Sequence, residues 1–205
     1  MRKIIYLLFV LIFLFFGYFL FFSPPGSKDV EPLSDNDVIV CFGDSLTYGT
    51  GASPGMDYPS RLAEMLGKEV INAGIPGDTT ASALDRLEKD VLSESPALVL
   101  ITLGGNDLKN GTPANDALGN LIEIVETMRE NNARVIVGGL KFPMRDRGYG
   151  KAYAELAERT GVVLIPHILE GIMGNRALMS DPIHPNDKGY ALMAERFYEA
   201  VQDIL

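Results

Sequence analysis

From residue 38 onward, short apolar runs alternate with stretches of helical periodicity, and that alternation leaves few folds open. The runs lie at 38–42, 69–72, 97–103, 134–138 and 162–165. Their length and β-branched content are those of buried strands. Between the third and fourth, residues 115–131 place Leu118, Leu121, Ile122, Val125 and Met128 on one helical face, while Glu123, Glu126 and Arg129 face away. A second helix is predicted over 79–93, with Leu84, Leu87 and Val91 inward and Asp78 or Thr79 as its cap. A third closes the chain on a stripe of Tyr190, Met193, Ala194, Phe197 and Val201. Strand alternating with helix requires right-handed crossovers, hence a parallel sheet covered on both faces. The expected class is α/β: a three-layer α/β/α sandwich around a parallel five-stranded sheet in the flavodoxin-like order 2-1-3-4-5. In that order the loops after strands one and three meet over one crevice.

The segment before residue 38 is of another kind. Arg2 and Lys3 precede residues 4–22, an uncharged stretch of nineteen residues of which sixteen are Leu, Ile, Val or Phe. As a helix it would span about 28 Å, close to the roughly 30 Å hydrocarbon core of a bilayer. No small-residue cleavage site follows it, so residues 1–22 read as an uncleaved anchor, with a cleaved signal peptide as the alternative. The basic pair places the N-terminus in the cytoplasm and the rest of the chain beyond the cytoplasmic membrane. Residues 23–37, rich in Pro, Gly, Ser and charge, read as a linker, and 38–205 as one domain. The formal charge of −9 becomes −11 once Arg2 and Lys3 are set aside, which argues against nucleic acid as a partner. Cys41, the single cysteine, lies in an apolar run and reads as core filling.

The chemistry-bearing residues fall where strands end or helices begin. The first run stops at Gly43-Asp44-Ser45-Leu46, which leaves a serine hydroxyl at a strand's carboxyl end, where open α/β sheets bind ligands. The second leads into a loop in which Gly77 precedes a helix, where free backbone N–H groups favour developing negative charge. The third is followed by Gly104-Gly105-Asn106-Asp107, whose asparagine offers a neutral N–H donor. Ahead of the last helix stands Asp181-Pro182-Ile183-His184-Pro185. Asp and His three apart can meet in one turn, and the carboxylate can then orient the imidazole. Each piece taken singly also reads as an ordinary turn.

Together these blocks resemble the SGNH (GDSL) hydrolase family, in its extracytoplasmic thioesterase, lysophospholipase and arylesterase branch. The resemblance runs through 38–205 and implies the SGNH hydrolase fold. It implies Ser45 as nucleophile, His184 as base and Asp181 as the orienting acid. The backbone N–H groups of Ser45 and Gly77 and the Asn106 amide would form the oxyanion hole. It also implies that residues 141–149 border an acyl pocket, with Phe142 and Pro143 touching the chain. Asp44 and Asp107 flank the chemistry, where they would brace the loops and make the mouth acidic. His167 reads as structural. Family members often carry glycine after the acid, where this chain has Pro182, and the Gly-x-Ser-x-Gly elbow of α/β-hydrolases is absent.

The implied activity is hydrolysis of carboxylic esters or thioesters through an acyl-enzyme, with no cofactor and no metal, by a monomer acting on a small-molecule or lipid acyl ester. Alternatives on the same triad are a carbohydrate O-acetylesterase and an acyltransferase. Two more distant ones are a phosphohydrolase with a metal on Asp44, Asp107 and Asp181, and a non-catalytic binding domain.

Overall fold

The computed structural model describes residues 32–141 and 146–204. The anchor expected at 1–22 lies outside the described residues. Among the described residues no helix is long and apolar enough to cross a membrane. The start of the expected linker lies outside them as well; its last residues, 33–37, belong to the same compact unit as the domain, with Leu33 buried.

Five parallel strands form one sheet in the order β2-β1-β3-β4-β5, as the alternation predicts. They are β1 (Ile39–Gly43), β2 (Val70–Gly74), β3 (Leu98–Thr102), β4 (Arg134–Gly138) and β5 (Val163–Ile165). The central β1 and β3 are buried throughout, while the edge strands β2 and β5 are half-buried. This follows from position, since an edge strand has a neighbour on one side only. β2 runs two residues further than its apolar run because its pairing with β1 continues to Gly43↔Gly74. A Cβ on Gly74 would stand 2.2 Å from Tyr48 N, so only glycine lets the turn after β1 pass this close.

Successive residues of a strand point to opposite faces. Phe42 lies beneath the Arg86 guanidinium, 4.4 Å from its ring centroid, on the face covered by α3 (Thr80–Asp85), α6 (Ala114–Glu130) and α7 (Tyr149–Thr160). Cys41 reaches the other face, against Tyr58 of α2 (Tyr58–Leu66). There Tyr58 stacks on Phe197 of α8 (Asp187–Gln202) with ring centroids 5.0 Å apart. Cys41 is wholly buried and burial pushes its thiol pKa up, in keeping with a core role.

The helix expected over 79–93 is broken in three. α3 ends at Asp85, α4 spans Leu87–Asp90, and a 3₁₀ turn covers Leu92–Glu94. Arg86, at φ −109° and ψ 3°, makes the joint. Leaving helical geometry there lets its side chain turn under the sheet and reach four acceptors. Leu87 and Val91 are buried as expected, but Leu84 is only partly so.

Candidate active site

At the carboxyl end of β1, Asp44 caps the four-residue helix α1 (Ser45–Tyr48), its Oδ1 accepting from Leu46 N at 2.9 Å. The cap holds Ser45 as the first helical residue, its hydroxyl turned to the crevice. On the far side, Asn186 caps α8 through the Lys188 and Gly189 amides, and the preceding loop is pinned by Ser180 N donating to His184 O at 2.9 Å. Within that loop Asp181 Oδ1 accepts from the amides of Ile183 and His184, both at 2.8 Å.

These two braced turns meet. His184 Nε2 is 3.0 Å from Ser45 Oγ, and His184 Nδ1 is 2.7 Å from Asp181 Oδ2. With the Nδ1 proton directed at the carboxylate, Nε2 presents its lone pair to the serine hydroxyl. The ring's donation, followed by the Ile183 amide, pulls the Asp181 carboxyl down to about 2.

Asn106 is the second residue of α5 (Gly105–Asn110), which begins directly beyond β3. Its Nδ2 donates to Asp78 O at 2.9 Å and to Asp44 Oδ2 at 3.3 Å, so both amide hydrogens are engaged. Gly77 sits one residue before Asp78 in the same loop, exposed, with φ +90°, a conformation that suits glycine. Asp44 is 2 % exposed, and burial pushes its carboxyl up to about 7, the Leu46 amide and His184 opposing.

Of the two residues expected to make the mouth acidic, Asp44 lines the crevice and Asp107 does not. Asp107 is 1 % exposed and turned away from the crevice, its carboxylate taken by Thr80 N at 2.9 Å and Thr80 Oγ1 at 2.7 Å. The first turn of α3 presents free N–H groups there, which a carboxylate satisfies. It braces a loop, as expected, but does not face a substrate. Asp44, Asp107 and Asp181 do not converge as a metal set, and the described residues hold no group of three or more His, Cys, Asp or Glu side chains placed to hold a metal ion. His167 lies off the crevice; its Nδ1 is buried without a hydrogen-bond partner among the described residues, and burial lowers its pKa.

The crevice beside Ser45, Asn106 and His184 has a volume of about 320 Å³. Leu46, Leu108, Leu140, Leu169, Met173 and Ile183 line it, with Lys109 and Arg147 at its rim. Phe142 and Pro143, expected to touch an acyl chain, lie outside the described residues. Leu169 and Met173 are not among the residues the sequence points to. Their only signal in the sequence is an apolar pair at a spacing of four after β5, with no helical pattern around it.

Residues 41–192 match the model of the GDSL-like Lipase/Acylhydrolase family. The chain is 32% identical to the arylesterase of Vibrio mimicus over 78% of this chain and 86% of that protein. It is 28% identical to Thioesterase 1/protease 1/lysophospholipase L1 of Escherichia coli (strain K12), over 82% of this chain and 85% of the relative. The crystal structure of TesA superposes with a TM-score of 0.78 at 28% identity, covering 82% of this chain and all of that one (100%).

Proposed function

The chain belongs to the GDSL-like lipase/acylhydrolase family, and from that premise we propose that it hydrolyses carboxylic esters and thioesters through an acyl-enzyme on Ser45. The observation that carries the assignment of roles is the pair of contacts Ser45 Oγ to His184 Nε2, 3.0 Å, and His184 Nδ1 to Asp181 Oδ2, 2.7 Å. A serine hydroxyl is a weak nucleophile until a base takes its proton, and this arrangement supplies base and orienting acid in line.

In the proposed reaction the carbonyl of the substrate lies over Ser45 with its acyl chain along the apolar crevice. Ser45 Oγ bonds to the carbonyl carbon as its proton passes to His184 Nε2, and the carbonyl π electrons move onto oxygen. Asp181 stabilises the imidazolium. The Asn106 hydrogen that now points at Asp44 Oδ2 over the longer distance, 3.3 Å, turns to the oxyanion. Gly77 N–H and Ser45 N–H are the other donors. The tetrahedral intermediate collapses, the bond to the alcohol or thiol breaks, and His184 returns its proton to that leaving group. Water then repeats the sequence on the acyl-enzyme, with His184 as base again, and releases the acid.

The apolar run at 4–22 supports tethering this activity to the outer side of the cytoplasmic membrane. Retention of the full-length chain by membranes in an alkaline carbonate wash tests the tether. Reaction with a fluorophosphonate tests the chemistry: one phosphonyl adduct on Ser45, loss of p-nitrophenyl ester hydrolysis in proportion to labelling, and activity unchanged by EDTA are expected. An unlabelled Ser45 in active protein would overturn the assignment.

A further inference from the structure

Arg86 is buried deeply for an arginine, its side chain 12% exposed, and nothing in the reaction so far uses it. Its guanidinium rests on the Phe42 ring, 4.4 Å from the centroid. Nη2 donates to Gly43 O at 3.1 Å and to Ala73 O at 3.0 Å, the carbonyls near the ends of β1 and β2. Nε donates to Asp78 Oδ2 at 2.6 Å and Nη1 to Asp90 Oδ2 at 3.2 Å. One planar fork thus joins the residue two before Ser45 to the loop that carries Gly77.

The connection continues to the reacting atoms. Asp78 is 7% exposed, and its carboxylate is shared between Arg86 and Ser82 Oγ, the latter at 2.8 Å. Its backbone carbonyl accepts from Asn106 Nδ2 at 2.9 Å. The orientation of the Asn106 amide therefore depends on where the peptide of Asp78 lies. That peptide is held from its side-chain end by Arg86, which also grips the strand carrying the nucleophile. We propose that Arg86 is a positioning residue for the oxyanion donors: it fixes the loop of Gly77 and Asp78, and through it the Asn106 amide, relative to Ser45. The inference rests on the serine-hydrolase reading above. It differs from simple bolting of helix to sheet because the fork joins the backbone two residues before Ser45 to the Asp78 carboxylate of the loop that carries Gly77.

The test is Arg86→Lys, since an ammonium on a flexible stem cannot span the same four acceptors. A small misplacement of catalytic groups costs up to about 10²-fold. The expected result is therefore a fall in kcat of about 10- to 100-fold with KM changed by less than about twofold, in protein that melts cooperatively. In an Asn106→Ala background the same change should cost several-fold less than in the wild type, because only the Gly77 amide then remains to be positioned. Asp90→Asn, which removes a contact that does not reach the loop, should leave kcat near wild type. If Arg86→Lys does not fold, Asp78→Asn carries the test, with a several-fold fall in kcat that again shrinks in the Asn106→Ala background. Wild-type kcat in folded Arg86→Lys, or an undiminished penalty in the Asn106→Ala background, overturns the inference. Fluorophosphonate labelling of the wild type separates this from failure of the serine assignment: labelled Ser45 with an indifferent Arg86 sinks only the positioning role.

Discussion

The Asn106 amide stands 3.3 Å from the Asp44 carboxylate, on the shoulder of the nucleophile. In the proposed reaction this hydrogen leaves Asp44 for the oxyanion. Removing one oxyanion donor typically costs about 2.7–4 kcal/mol in the barrier. Asn106→Ala should lower kcat on p-nitrophenyl esters by roughly 10²–10³, with little effect on KM. Steady-state kinetics at saturating ester checks this, and full activity in the variant would rule the donor out.

Asp44 should also leave a mark on stability. Burial raises its pKa from 3.8 to about 7. Between those values the folded protein keeps a proton that the unfolded chain has released, so this group makes stability fall as pH rises across that window. Asp44→Asn should flatten that slope. Urea unfolding at a series of pH values from acid to neutral, wild type against variant, reads it directly.

Asp181 acts with the opposite sign. Its carboxyl is pulled from 3.8 down to about 2 by His184 and the Ile183 amide. Its contribution is present above the unfolded value and is lost as pH falls toward 2. The stability gap between wild type and Asp181→Asn should therefore close in strong acid. Activity should suffer at every pH. A triad Asp→Asn change can cost about 10⁴ in kcat, and less is expected here because the side chain is 44% exposed and water can replace part of its role.

Gly43→Ala tests how tightly the nucleophile strand is packed. A methyl there would stand 2.2 Å from Thr47 Oγ1 and 2.4 Å from Thr102 O. It would force apart the buried contacts that join Thr47 to Tyr58 and Thr102. Overpacking of this kind typically costs about 1–3 kcal/mol. Calorimetry should show a lowered Tm, with a fall in kcat because α1 shifts along with Ser45.

The apolar wall should set chain-length preference. Each methylene buried is worth about 0.8 kcal/mol, close to fourfold. Met173→Trp fills the crevice near Leu169, so it should lower kcat/KM for a p-nitrophenyl decanoate by on the order of tenfold while sparing the acetate. An unchanged ratio of the two would place the acyl chain elsewhere.

Much of this molecule is written in short-range pattern. Strand runs, the helical stripes on α6 and α8, and the sheet order follow from hydrophobic period and alternation, because burial of one face is a local demand on sequence. Asp181 and His184 are legible for the same reason: three residues apart, they meet within a single turn whose amides the acid itself caps. What only the tertiary structure decided involves partners distant in sequence. Ser45 and His184 stand 139 positions apart and are brought together by the sheet, and no spacing rule could supply their 3.0 Å contact. Asp107 turned from the crevice to Thr80 because the first turn of α3 happened to arrive there with unsatisfied amides. At Arg86 the helix that its periodicity predicts is broken, where the side chain meets two strand-end carbonyls and the Asp78 and Asp90 carboxylates. Periodicity encodes which face of an element is buried; which polar group waits on the other side of that face is set by the packing of elements far apart in the chain.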